Sequence, residues 1–374
     1  MAGKQLKIMI IGLRGFPNVQ GGIETHVENL CMELVKHDVS VEVVVRRRYM
    51  NKNMTGKTWN GVRFHYLPSP KSIGLEALIH TFLGVIYAAF KRPDLLHIHA
   101  IGPGLMTPLA RLLGIRVVVT HHGPDYDRQK WGGLAKKVLE LGERLACKFS
   151  NRVIAISKTI KGIVAEKHGI ECSLIPNGVR LAELSQGSDR LKEFGLAKNR
   201  YVIIVSRLVP EKRHLDLIEA FKLANLDGWK LAIVGTSDHP NAYTQNVIET
   251  SKKTENVVLT GFQTGLDLAE LYTHAGLFVL PSSHEGLPIA LLEALSYGLN
   301  VVASDIPSNM EVNLDEERYF ELGNTKQLAS RLKYWSERVP DGETRKTTRE
   351  WVVTTYNWPE IARNTLNVYN SVVS

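Results

Sequence analysis

Short β-branched runs, most of them uniformly apolar, recur along this chain and alternate with longer segments of helical spacing. A strand buried on both faces reads as an unbroken apolar run, and a parallel neighbour needs a helical crossover, so this alternation specifies parallel sheets covered by helices. In the first half the runs fall at residues 7–12, 41–45, 62–67, 95–99, 116–120, 152–155 and 173–175. Apolar density then drops over residues 180–199, where Ser185, Gly187, Ser188 and Asp189 mark a linker. The pattern restarts with strands at 201–206, 230–234, 257–259, 277–280 and 301–303, and helices near 214–226, 241–252, 265–274 and 287–297. A single core stops growing beyond about 250–300 residues, so 374 residues with 44% apolar content divide into two domains. The expected division is 1–180, 181–357 and a terminal helix, 358–374, packing back on the first domain, with Pro359 in its first turn.

Cys31, Cys147 and Cys172 are odd in number and far apart, without zinc or redox spacing. They read as reduced thiols of a cytoplasmic protein. The apolar run after Lys7 is too short for a signal-peptide core. Residues 73–90 reach the lower limit for a membrane span but contain Glu76, His80 and two glycines, so a helix packed on a sheet is expected. Charge is uneven. Residues 1–180 hold 26 Lys+Arg against 13 Asp+Glu, a net +13, and the remainder holds 20 against 25, a net −5. A basic half attracts phosphorylated substrates, anionic membranes or nucleic acid, and the absence of any zinc-finger or RNA-recognition signature argues against the last.

Ligands of open α/β sheets sit beyond the carboxyl ends of the strands. After the run 277–280 comes Ser-Ser-His-Glu-Gly-Leu-Pro-Ile-Ala-Leu-Leu-Glu, residues 282–293. Gly286 permits close backbone approach, and a helix beginning near Leu287 would offer unpaired N–H groups to a phosphate. Glu285 and Glu293, eight positions apart, would share one helical face and address one elongated ligand through its hydroxyls. After the run 201–206, Arg207 and Lys212 can both reach a diphosphate, with charged hydrogen bonds worth about 1.5–3 kcal/mol each. The loop 12–22 is longer than most strand-to-helix connections, which run to about 2–6 residues. Its Gly21-Gly22 pair also suits a plain turn, and Arg14 can face an acceptor or the phosphate. After the run 116–120 stand His121 and His122, to which no third metal ligand is spaced in sequence.

A Glu and a second Glu eight positions on, with Gly-Leu-Pro between them, resemble the signature of retaining glycosyltransferases of the GT-B fold, family 4 in particular. That likeness covers nearly the whole chain, its motifs in the family's order, with further matches at residues 93–99, 157–158, 176–179 and 260–262. It implies two Rossmann-like doubly wound domains facing across a cleft, the N-terminal one for the acceptor and the C-terminal one for a nucleotide-sugar. It implies that Glu285 contacts the transferred sugar and Glu293 the ribose, that Arg207 and Lys212 hold the diphosphate, and that Gly21 and Gly22 approach it. Gly286, Leu287 and Phe262 would border the donor. His122, with His121 as second choice, would lie near the transferred sugar and, with Arg14, near the acceptor. His97 and His99 read as core or rim histidines. Asp125-Tyr126-Asp127 superficially matches a metal-binding Asp-x-Asp, but cations take the metal's place in such a site. No metal and no cofactor are expected, the nucleotide-diphospho-sugar being a substrate.

The loop 14–22 and His122 look like those of bacterial surface-polysaccharide transferases, with a hexosyl or deoxyhexosyl group passed to a glycan acceptor. A helix at 134–148 sets Lys136, Lys137, Arg144 and Lys148 opposite Leu134, Val138, Leu141 and Leu145, which suits either a membrane-surface helix or a solvated face on a core helix. With the +13 half, it directs the expectation to a lipid-linked acceptor on the inner face of a membrane. Two other functions fit the same motifs: a GT-B-type nucleotide-sugar isomerase or hydrolase, and a non-catalytic sugar-nucleotide-binding subunit.

Overall fold

The structure is a computed structural model that describes residues 5–50, 58–72, 75–128 and 131–374. Two compact units are present: Met1–Gly178 with Trp358–Ser374, and Val179–Asn357.

The first unit is built on an eight-stranded sheet: β1 (Leu6–Ile11), β2 (Val39–Arg46), β3 (Thr58–Trp59), β4 (Val62–Leu67), β5 (Leu95–His99), β6 (Val117–His121), β7 (Arg152–Ala155) and β8 (Ser173–Leu174). Its order is β3-β4-β2-β1-β5-β6-β7-β8, parallel except for the short β3–β4 pair. Alternate residues of β1 feed two cores. Ile8 and Ile10 pack beneath helices Gly22–Leu34 and Trp358–Val373, while Met9 and Ile11 face helices Leu75–Lys91, Thr107–Leu112 and Gly133–Phe149. Val27, Leu30 and Leu34 of the first of these helices are fully buried, each worth roughly 1.5–3 kcal/mol. The last helix is fixed by buried Tyr369, whose hydroxyl lies 2.7 Å from His97 Nδ1.

The second unit holds a six-stranded, all-parallel sheet: β9 (Tyr201–Val205), β10 (Lys230–Val234), β11 (Val257–Gly261), β12 (Leu277–Leu280), β13 (Asn300–Ser304) and β14 (Tyr319–Phe320), in the order β11-β10-β9-β12-β13-β14. Helices His214–Ala224 and Thr325–Ser336 pack against one face. The stretch read as a linker contains the short helix Asp189–Phe194, whose backbone N–H groups at Arg190 and Leu191 donate to Glu270 at 2.7 and 3.1 Å.

One helix packs differently from its sequence reading, and a second packs on the sheet as expected. Helix Gly133–Phe149 turns Gly142, Glu143, Ala146 and Cys147 inward, leaving Leu134, Val138 and Leu141 exposed beside the lysines. Small residues there let the backbone come close: a Cβ on Gly142 would lie 2.4 Å from the Ile101 carbonyl oxygen. Helix Leu75–Lys91 covers most of the run read at 73–90, whose positions 73 and 74 lie outside the described residues. It buries Glu76, His80, Thr81, Gly84, Val85 and Ala88 and exposes Leu75, Ile79, Phe82 and Phe90. Among the described residues no helix is long and apolar enough to cross a membrane. All three cysteines are buried and unbridged.

Candidate functional site

Each sheet has a point where its strand order reverses, and the loops leaving the two strands there part to form a crevice. In the second unit those strands are β9 and β12. The loop after β9 carries Arg207, then a single 3-10 turn, Pro210–Lys212, closed by Arg213 in the left-handed region at φ 51°. The loop after β12 carries residues 281–288. Ser283 N–H donates to the Glu211 carbonyl at 2.8 Å and joins the two loops. From the far side, Ser308 Oγ donates to the Glu285 carbonyl at 2.8 Å and Ser304 Oγ to the Ser282 carbonyl. These bonds fix the backbone of Glu285, and its carboxylate forms an ion pair with Lys212 Nζ. Burial is the largest influence and pushes the Glu285 carboxyl upward, but the Lys212 charge and hydrogen bond, with the Ser282 hydrogen bond and His284, together hold the group below the ordinary carboxylate range. Arg207 is half-buried immediately beyond β9.

Glu293 stands differently. The helix begins at Ile289, with Pro288 at its N-cap, so Glu285 precedes the helix and the two carboxylates do not share a helical face. The physical reason is Pro288: its ring excludes the preceding residue from the helical region, and Leu287 therefore remains outside. Gly286 and buried Leu287 belong to the loop, and the helix has no side-chain cap. Glu293 lies in the middle of the helix, where the Tyr272 hydroxyl donates to it at 3.4 Å. Burial raises its carboxyl to about 7, the Tyr272 bond opposing only in part. Sequence reasoning passed over Tyr272, which comes from helix Gly265–Thr273 and stacks on Tyr297 at 5.0 Å. Phe262 follows β11, two strands from β9 at the sheet edge, and is 39% exposed.

In the first unit the order reverses between β1 and β5. Gly12 ends β1 at φ 104°, and a Cβ there would lie 2.3 Å from the His99 carbonyl oxygen, so only glycine fits. Arg14 is bound within its own loop: Nε lies 3.1 Å from Glu24 Oε1, and Nη2 donates to the Gln20 carbonyl. Gly21 opens helix Gly22–Leu34 and has no room for a Cβ between Glu24 and Arg14. Burial favours a protonated Glu24, but the Arg14 charge and hydrogen bonds prevail and lower its pKa.

The two sequence-adjacent histidines part company. His121 ends β6 and is buried against Glu143, Nε2 to Oε1 at 2.7 Å, in a network that also takes the Tyr126 hydroxyl and His168. His122 turns the other way, its Nε2 2.9 Å from His99 Nδ1. His26 completes this group: its ring centroid is 5.0 Å from that of His122, and its Nδ1 lies 2.9 Å from Asn177 Oδ1. Burial depresses His26 to about 4, the Asn177 bond opposing, and drives His99 and His122 well below the ordinary histidine range. His97 is satisfied by Thr120 and Tyr369, as a core histidine should be. Nothing in the spacing of His26, His99 and His122 announced their meeting. Asp125 of the Asp-x-Asp lies in a 3-10 turn and pairs with Arg128 at 2.7 Å.

Two family models match the chain: Glycosyltransferase Family 4 over residues 20–183, and Glycosyl transferases group 1 over residues 189–350. A curated relative, the UDP-Gal:alpha-D-GlcNAc-diphosphoundecaprenol alpha-1,3-galactosyltransferase of Escherichia coli, is 31% identical over 230 residues, 58% of this chain. The match spans about three fifths of that relative, 59% of its length. Among solved structures, sucrose-phosphate synthase from Thermosynechococcus elongatus superposes with a TM-score of 0.82 at 20% identity, covering 98% of this chain and 99% of that one. Anabaena HepE, in complex with UDP and glucose, superposes with a TM-score of 0.78 at 18% identity, covering 98% and 100%. With a reversal-point loop pair in each of two parallel α/β units, and family models on both, this chain belongs to glycosyltransferase family 4 and has the GT-B type of fold.

Proposed function

We propose that this protein is a retaining, metal-independent glycosyltransferase that moves a hexosyl or deoxyhexosyl group from a nucleotide-diphospho-sugar to a lipid-linked glycan, in bacterial surface-polysaccharide synthesis. The observation that carries the reading is the Lys212–Glu285 pair held at the reversal point of the second sheet. Transfer builds positive charge on the anomeric carbon and negative charge on the departing diphosphate, so a fixed cation beside the phosphate lowers the barrier. Lys212 offers three N–H donors, enough to hold Glu285 and a phosphate oxygen together, and Arg207 supplies a second cation. Glu285, kept ionised, accepts hydrogen bonds from sugar hydroxyls, and Glu293 accepts them from the ribose. No carboxylate is assigned as a nucleophile; attack on the face the diphosphate leaves, with the diphosphate taking the acceptor's proton, accounts for retention. Support for a sugar-nucleotide comes from HepE, a neighbour whose complex contains UDP and glucose.

A membrane-borne acceptor is supported by the outer surface of the first unit. Val85, Ala88, Ala110 and Ala146 share one core, so helices Leu75–Lys91, Thr107–Leu112 and Gly133–Phe149 cover the same sheet face. Outward from it point Ile79, Phe82, Phe90, Leu134, Val138 and Leu141, among exposed Lys136, Lys137, Arg144 and Lys148. Exposed apolar groups interspersed with cations suit an anionic bilayer surface, giving a protein on the inner face of a membrane. The E. coli relative's name includes a diphosphoundecaprenol acceptor, consistent with this.

The test is a thermal-shift screen against UDP-, GDP-, TDP- and ADP-sugars, followed by product analysis with and without a polyprenyl-diphosphate-linked sugar. One nucleotide-sugar should raise the melting temperature, and acceptor-dependent release of its nucleoside diphosphate should yield an axial linkage from an axial donor. An inverted linkage removes the retaining assignment, and product formed without acceptor indicates hydrolysis or isomerisation.

A further inference from the structure

We propose that His26, His99 and His122 form a binding site for a late first-row divalent cation, with Zn2+ as its representative. The three rings come from separate elements: helix Gly22–Leu34, the last residue of β5 and the residue after β6. One ring nitrogen from each lies within 4.8 Å of those of the other two. Zinc–imidazole bonds of about 2.0–2.1 Å in tetrahedral geometry set the ligand nitrogens roughly 3.3 Å apart. His99 and His122 are now closer than this, at 2.9 Å, and the widest pair is within 4.8 Å, so small ring rotations of opposite sense would form the site.

The surroundings match a metal site in two further respects. A ligating imidazole commonly donates its other N–H to an oxygen, which fixes the tautomer. Buried Asn177 does this for His26, with Oδ1 accepting from Nδ1 and leaving Nε2 as the ligand. Without a cation, His99 Nδ1 and His122 Nε2 face each other at 2.9 Å, one nitrogen donating and the other accepting. A cation between them accepts both lone pairs. All-imidazole ligation suits zinc, copper, nickel or cobalt rather than magnesium or calcium, which require oxygen ligands. His122, the least buried of the three, leaves a fourth position for water on its side.

The readout of the proposal is bound metal rather than turnover. Full-length protein, stripped with a chelator, is dialysed against micromolar Zn2+ and its metal content measured. One Zn2+ per chain is expected, with at least a hundredfold loss of affinity in His26→Gln and His99→Gln, roughly a 10–100-fold loss in Asn177→Ala, and no change in His37→Ala, an exposed histidine. Stoichiometric Co2+ should give the intense visible absorption of a tetrahedral site. Failure of the wild-type protein to retain Zn2+, or equal binding by His26→Gln and His99→Gln, overturns the proposal. Should those two variants fail to fold, the Co2+ spectrum of the wild-type protein decides: a weak octahedral spectrum with full retention by Asn177→Ala means a different site.

Discussion

The two sheet-reversal points of this chain are alike in topology and opposite in electrostatics. Between β9 and β12, Lys212 and Glu285 meet as an ion pair, and the burial of Glu285 is overcome by the Lys212 charge together with the hydrogen bonds to its carboxylate. Near the end of β5, four histidines crowd together and burial prevails, leaving neutral rings. The same loss of hydration thus keeps a charge where an opposite charge is in contact and expels it where the neighbours are of like kind. The contrast is consistent with the proposed division of labour, in which the second unit handles the charged leaving group and the first the acceptor.

The sharpest way to break that contrast is to remove the cation. Lys212→Ala should lower kcat by about 100–1000-fold at saturating donor, the scale of losing one preorganised donor to developing negative charge. Unchanged turnover would show that the leaving group is stabilised elsewhere.

Acid should act on the other side of the comparison. His97 and His26 sit at about 3 and about 4 when folded, against an ordinary value near 6.5. Their folded pKa values are depressed, so below 6.5 the unfolded chain binds more protons, and the stability present above that pH is lost as pH falls. By pH 5 each ring should cost roughly 2 kcal/mol. Denaturant unfolding of chelator-treated protein at pH 7 and pH 5 measures this, and His97→Phe should reduce the slope by one ring's share.

Surface charge extends the contrast outward, with +13 over residues 1–180 and −5 over the rest. The double variant Leu134→Ser, Leu141→Ser should weaken partitioning onto anionic vesicles on the order of tenfold, since each exposed leucine loses an apolar contact with the bilayer. Equal sedimentation of wild type and variant would remove the helix from the membrane surface. The smallest effect concerns Glu293, whose carboxyl sits at about 7. If ribose hydroxyls donate to its ionised form, donor affinity should rise by less than about tenfold between pH 6 and pH 8. Glu293→Gln should flatten that rise in isothermal titration.

Legibility in the sequence followed the range of the interactions. Strands β5 and β10 were read to the residue because they are short, buried, mostly apolar runs, and β4 because buried Val62 and Phe64 alternate with exposed Arg63, whereas two-residue β3 and β14 carry too little pattern to detect. The break at Leu287-Pro288 was present in the sequence as a local rule, yet the apolar run after it suggested a longer helix. The helix at 133–149 was ambiguous in a different way. Its apolar stripe and its buried face are distinct, because Gly142 and Ala146 pack closely where bulky residues cannot.

What the sequence by itself determined was the alternation, the division into two α/β units, and the residues that leave each strand, all consequences of local periodicity. Only the tertiary structure decided which of those residues meet. Lys212 and Glu285 are 73 positions apart, His99 and His122 are 23, and His26 and Asn177 are 151. Such pairs are set by strand order and by burial on both faces of a sheet, and sheet order is a property of the packed chain as a whole.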